Sequence, residues 1–180
     1  MGIRGYSQAT ETMKRNATVE DMISLVQIAR TIYSARGVYG SNNADLSIST
    51  AVLSAKFGAA GSTGSATTPL GGSSMFELRA VEVQNADAGE MAPAARAFAV
   101  CLTGLTANQC IQFANMGWVD AVMGTDGQLI SIQDDAETIP HSWSFAAMPA
   151  DGASFSGIPT GAGGCTNTTQ NENTMCVLYR

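Results

Sequence analysis

Basic residues are scarce in this 180-residue chain: nine lysines and arginines stand against fifteen aspartates and glutamates, a net charge of -6. They form no cluster. A phosphate backbone is neutralised by such clusters, so the composition argues against a nucleic-acid partner. Histidine is scarcer still, with His141 alone. Nucleophilic catalysis of the Ser-His or Cys-His kind needs a base, a nucleophile and an orienting group that converge. A single histidine after Pro140, in a stretch that reads as a surface turn, does not supply them. There is no P-loop, no GxGxxG behind a strand and no HExxH. Asp126, Asp134, Asp135 and Glu137 lack the alternation and the glycine of an EF-hand loop and read as a solvated acidic turn. Trp118, Trp143 and Phe145 read as sheet packing. The expectation is a protein without catalytic site, cofactor or metal.

Apolar runs are short, none approaching the ~18 residues that a membrane span requires. The start, MGIRGYSQATETMKR, carries charge but no apolar core of a signal peptide. Met1-Gly2 reads as an added start, and the natural chain is expected to continue upstream. CxxC spacing is absent too. Cys101, Cys110, Cys165 and Cys176 are even in number and accompany one histidine, which favours two disulfides and an oxidising compartment over four buried thiols or a metal site. Three pairings are open. The sequons Asn16-Ala17-Thr18 and Asn167-Thr168-Thr169 carry weight only on a eukaryotic secretory route.

What is abundant is glycine, nineteen residues of it, in a chain only 13% charged and 45% apolar. One loop-rich domain is expected at this length. Its clearest element is Thr18 to Arg36, where Val19, Met22, Ile23, Val26, Ala29, Ile32 and Tyr33 recur at steps of three and four and so share a helical face. Leu25 and Ile28 widen that stripe. The polar residues from Tyr6 to Asn16, with Glu11 and Arg15 at i,i+4, extend the helix backwards, and Gly37 and Gly40 stop it.

A second helix is expected over Leu46 to Phe57, capped by Asn43 or Asp45, and a loop over Gly58 to Ser74. Phe76 to Val83 reads as a strand with a slip near Val81 that a bulge explains. Arg96 to Leu102 alternates Phe98, Val100 and Leu102 against Ala97, Ala99 and Cys101. Thr106 then caps a short helix bearing Cys110, Ile111 and Phe113. Trp118 to Met123 and Gln128 to Ile132 flank a turn and suggest a hairpin, Ser142 to Met148 an edge strand, and Met175 to Tyr179 a last strand after a polar run. Helices first and strands later is the α+β order.

Four stretches together resemble the periplasmic or extracellular domain of the type IVb pilins. They are RGVYG at the end of the helix, TPLGGSS at 68–74, FAVCLTGLTANQC at 98–110, and Cys165 followed by a polar run and NTMCVLYR. Leu70 stands where the family usually has phenylalanine, and Cys101 and Cys176 are extra to its usual pair. The resemblance implies a pilin-like roll: a long N-terminal helix packed on a twisted antiparallel sheet, the terminal strand inserted among earlier ones, and a disulfide-bounded C-terminal region. Residues 1–36 would then be the C-terminal half of a spine helix, 37–74 the connection, and 75–180 the sheet and the disulfide-bounded region. It further implies a structural, non-enzymatic subunit of a fibre on a Gram-negative bacterium, held in the inner membrane by an upstream apolar segment before assembly. Partners would be other subunits, and a receptor on a host or recipient cell. A minor pilin or type II secretion pseudopilin is the near alternative, and a secreted disulfide-stapled binding module the distant one. Cys110 and Cys165 resemble the family's bonded positions. Cys101 and Cys176 are then paired by parity, each lying on its strand opposite the inward residues.

Overall fold

The computed structural model describes residues 3–40, 47–83, 95–116, 128–133, 144–145, 165 and 173–179. Helix α1, Ile3–Tyr33, is unbroken over 31 residues, a rod of roughly 46 Å at ~1.5 Å per residue. Its second half is held by the apolar stripe: Val19, Met22, Leu25, Val26, Ala29 and Tyr33 are buried, and Ile23 and Ile28 pack beside them. Leu25 is therefore central. Ile32, expected on the stripe, is 38% exposed, because it points about 80° away from the line through Met22, Ala29 and Tyr33. No residue from Ser7 to Asn16 is buried, and Met13 is 72% exposed. That half of the helix gains nothing from a core. Beyond Tyr33 the chain turns at Gly37, whose φ of 67° is left-handed, with the Arg36 amide donating to the Tyr33 carbonyl at 2.9 Å.

Helix α2, Ser47–Phe57, crosses α1 and is tied to it by Lys56 and Asp21, 3.1 Å apart. Ile48, Val52 and Leu53 enter the core; the expected caps Asn43 and Asp45 lie outside the described residues. The stretch expected to be all loop holds a 3-10 turn, Gly58–Gly61, and a two-residue strand β1, Ala66–Thr67. The reason is a neighbour that composition does not show. β1 pairs with the start of β2, Met75–Val83.

The sheet runs β1-β2-β3-β6-β4, with β3 Ala95–Leu105, β4 Gln128–Gln133 and β6 Asn173–Tyr179. The β2–β3, β3–β6 and β4–β6 pairings are antiparallel, so the last strand of the chain lies between β3 and β4. β5, Ser144–Phe145, adds in parallel to Glu82 and Val83 on the outer edge of β2. The β2–β3 register shifts between Val81 and Glu82, where the alternation slips in the sequence. Gln128–Gln133 takes β6 as a partner, whereas Trp118 to Met123, the other arm of the expected hairpin, lies outside the described residues.

Phe76, Leu78, Ala80, Phe98, Val100, Leu102, Met175, Val177 and Tyr179 form one face of the sheet and belong to the core beneath α1 and α2. Rings link its end, Tyr33 to Tyr39, Tyr39 to Phe98 and Phe98 to Tyr179, with centroids 5.7, 4.6 and 5.6 Å apart. Burial raises the Tyr39 hydroxyl pKa above its usual value, opposed in part by Arg30. The other face is buried as well, at Arg79, Val81, Ala97, Ala99, Cys101, Cys176 and Leu178. Antiparallel sheets often leave one face to water. This one does not.

β1 and β5 occupy opposite ends of the outer edge of β2, and a side chain serves the gap between them. The Ser49 hydroxyl accepts from the Leu78 amide at 2.9 Å and donates to the Gly64 carbonyl at 2.6 Å, all buried. Replacing Ser49 by alanine strands a buried N–H and a buried C=O, which is expected to cost about 2–3 kcal/mol. Chemical denaturation of the purified chain measures it, and a loss under ~0.5 kcal/mol would mean that water takes over both bonds.

Candidate functional site

The residues singled out in the sequence are the four cysteines, and the fold joins them in two pairs. Cys101 and Cys176 face each other directly in the β3–β6 register and are bonded, with Cα atoms 4.1 Å apart. Both lie in the middle of adjacent strands, on the face away from α1. Cys110, on α3 (Ala107–Ala114), is bonded to Cys165 across 5.6 Å between Cα atoms. No free cysteine remains. α3 is placed by its cap: the Gln109 amide donates to Thr106 Oγ1 at 3.1 Å, and the Thr106 amide donates to Gln109 Oε1 at 3.0 Å. This reciprocal pair fixes the first turn. Cys110 and Phe113 are thereby turned inward.

Two of the motifs read in the sequence touch. Residues 68–74, TPLGGSS, close on themselves: the Thr68 amide donates to the Ser74 carbonyl at 3.0 Å, the Gly71 amide to the Thr68 carbonyl at 3.1 Å, and the Thr68 hydroxyl to Ser74 Oγ at 2.8 Å. The closed turn lies against the LTGL step of β3. There the Ser73 hydroxyl donates to the Gly104 carbonyl at 3.2 Å. Gly104 is left-handed, φ 64°, and sits where the β3–β6 register shifts between Leu102 and Leu105. Asn173 spans that irregularity, its Nδ2 donating to the Leu105 carbonyl at 3.0 Å.

Asn173 and Thr174 read in the sequence as the end of a polar loop; both are buried in β6. Arg79 alternates in the sequence with the apolar residues of β2. It is buried and ion-paired with Glu77, two residues back on the same face. Pairing is what makes a buried guanidinium tolerable. A side chain's polarity alone gave no warning of either.

Between the first half of α1, the TPLGGSS turn and the start of α3 lies a groove of about 230 Å³, lined by Glu11, Lys14, Arg15, Leu70, Thr106, Asn108, Gln109 and Gln112. The i,i+4 pair Glu11 and Arg15 forms no ion pair there. Among the described residues no three His, Cys, Asp or Glu side chains gather as a metal site. None of their helices is long and apolar enough to cross a membrane. His141, Asp126, Asp134, Asp135, Glu137, Trp118 and Trp143 lie outside the described residues, and Phe145 pairs with Val83 at the edge of β2. Compared with known protein families, curated proteins and solved structures, the chain matches none.

Proposed function

We propose that this chain is the globular domain of a type IVb pilin, a structural subunit whose work is to form the surface of an extracellular bacterial fibre. The observation that carries the reading is α1: a single helix whose second half is packed into a core while its first half, Ser7 to Asn16, places no buried residue there. Helices this polar gain stability from neighbours, not from propensity alone. A neighbouring subunit in a fibre is such a partner. The N-terminal helix over a sheet with its terminal strand inside, and the contact between TPLGGSS and LTGL, are the features in which the four resembling stretches meet. Two disulfides suit an oxidising location. In this reading the domain is a non-enzymatic, roll-like fibre unit, and its glycine-rich surface serves adhesion, aggregation or conjugative contact.

The test is made on cells that produce the full-length protein. Filaments sheared from them are expected to label along their length with antibody to this chain, and the chain should be the most abundant protein of that fraction. A trace amount in the filaments favours the minor-pilin or pseudopilin alternative. Recovery only as a soluble secreted protein, with none in filaments, overturns the reading in favour of a binding module.

A further inference from the structure

The two disulfides are nested: the Cys101 to Cys176 bond spans 75 residues and encloses the Cys110 to Cys165 bond, which spans 55. Each cysteine therefore has a much nearer neighbour that is not its partner. Cys101 and Cys110 are nine residues apart, and Cys165 and Cys176 eleven. In a flexible chain the chance that two residues meet falls roughly as the 3/2 power of their separation, so the first bond in a reduced chain should join a near pair about fifteenfold more often than a native one. Delivery of the chain N-terminus first sharpens the bias. Cys101 and Cys110 then reach an oxidant together, 55 residues ahead of Cys165.

The fold forbids what chain statistics favour. Cys101 and Cys176 lie on the face of the sheet away from α1, whereas Cys110 and Cys165 belong to the core on the α1 side. A disulfide joins Cα atoms ~4.4–6.8 Å apart and cannot pass through a strand. Of the three pairings only the observed one keeps each bond on one side of the sheet; both others tie one face to the other and require β3 or β6 to give up part of its pairing. A mispaired chain thus leaves its sulfurs open to attack, while the native one hides them: Cys101, Cys110 and Cys176 are fully buried and Cys165 is 5% exposed. Thiolate exchange depends on access to sulfur, so it continues until the native pairs form and then stops.

We infer that this chain matures as a substrate of a disulfide isomerase, its native bonds being reached by reshuffling of near-neighbour bonds and not by direct oxidation. The exchange balances. The isomerase thiolate attacks Cys110 Sγ of a Cys101 to Cys110 bond, forming a mixed disulfide and releasing the Cys101 thiolate. That thiolate attacks Cys176 Sγ of a Cys165 to Cys176 bond, which closes Cys101 to Cys176 and releases the Cys165 thiolate. Cys165 then attacks Cys110 in the mixed disulfide, closes the second native bond and returns the isomerase thiolate. Two disulfides enter and two leave, so neither oxidant nor reductant is consumed. The inference rests on the connectivity and burial of the bonds and is independent of the fibre reading.

The experiment unfolds and reduces the purified chain, then dilutes it from denaturant into diamide, an oxidant that supplies no thiol. Samples are quenched with acid, free thiols are blocked, and pepsin digests are mapped without reduction. Among chains with one bond, Cys101 to Cys110 and Cys165 to Cys176 links should outnumber native ones about fifteenfold, and the fully oxidised product should carry both native bonds in less than about a tenth of its chains. Adding reduced glutathione to that product should raise the native share at least about fivefold, and a catalytic amount of a purified dithiol disulfide isomerase should speed the rise about tenfold. The variants Cys101→Ala with Cys176→Ala, and Cys110→Ala with Cys165→Ala, each leave one bond to form. Both should close it equally well with and without thiol, and because the bond itself is mapped, the result stands even where a variant does not fold. Native pairs formed in diamide alone at the glutathione yield, native pairs recovered in neither condition, an isomerase without effect on the rate, or a thiol requirement that persists in the single-bond variants would each overturn the inference.

Discussion

Removing the Cys101 to Cys176 bond by the double change to alanine is expected to destabilise the folded chain by about 3 kcal/mol or more. The bond closes a separation of 75 residues, which alone restricts the unfolded chain by ~4.5 kcal/mol in the entropy model. The second bond lies inside that loop and spans 55 residues. It already shortens the path, leaving roughly twenty unconstrained residues and a contribution nearer ~3.3 kcal/mol. Both sulfurs are fully buried, so alanine also leaves small voids, and serine would be worse because its hydroxyl would need a partner there. Urea titration with Cys110 and Cys165 intact is the measurement. The midpoint should fall and the slope rise, since the less constrained unfolded chain exposes more surface. A loss below ~1 kcal/mol would mean that the register between β3 and β6 is held by other contacts and that the bond adds little to it.

That bond also shows what could be read before any fold was in view. Parity along two strands is local information: Phe98, Val100 and Leu102 look one way, so Cys101 looks the other, and the same holds for Cys176 beside Met175 and Val177. Thr106 with Gln109 three residues later is local too, and so is the slip at Val81. Each feature is written within a few residues of where it acts. What was not legible depends on remote neighbours. Nothing near Arg79 says that the second face of the sheet is covered, and an alternation of polar with apolar residues reads by default as one wet face.

Ser49 and Asn173 belong to the same group. Each is a small polar residue whose structural role is fixed by a backbone group 29 or 68 positions away. The groove is assembled from three separated stretches, 11–15, Leu70 and 106–112, and only the charges on α1 could be noticed in advance. The spacing of Glu11 and Arg15 suggests an intrahelical pair when α3 is not in view. In the fold Glu11 and Arg15 form no ion pair and line one groove with Asn108, Gln109 and Gln112 of α3.

Gly104→Ala is expected to cost about 3 kcal/mol or more, well beyond the usual effect of a single methyl on a strand. Two terms add. At φ 64° an alanine occupies the left-handed region, a penalty of roughly 1–2 kcal/mol. Its Cβ would also lie 2.2 Å from the Ser73 carbonyl oxygen and 2.7 Å from the Ser73 carbonyl carbon. Those are backbone atoms of a turn closed by its own hydrogen bonds, so they cannot swing aside as the tip of a long side chain would. Relief requires either TPLGGSS to lift from β3 or β3 to change its irregular step before Leu105, where Asn173 holds it. Both routes expose buried groups. Gly71→Ala is the control: φ is left-handed there as well, at 78°, but nothing lies within 4 Å of the added carbon, so only the conformational term of about 1–2 kcal/mol applies. Denaturation midpoints of the two variants, measured side by side, isolate the cost of the close approach as their difference, expected near 2 kcal/mol. Equal losses would mean that the turn at 68–74 and the LTGL step do not press on each other in solution.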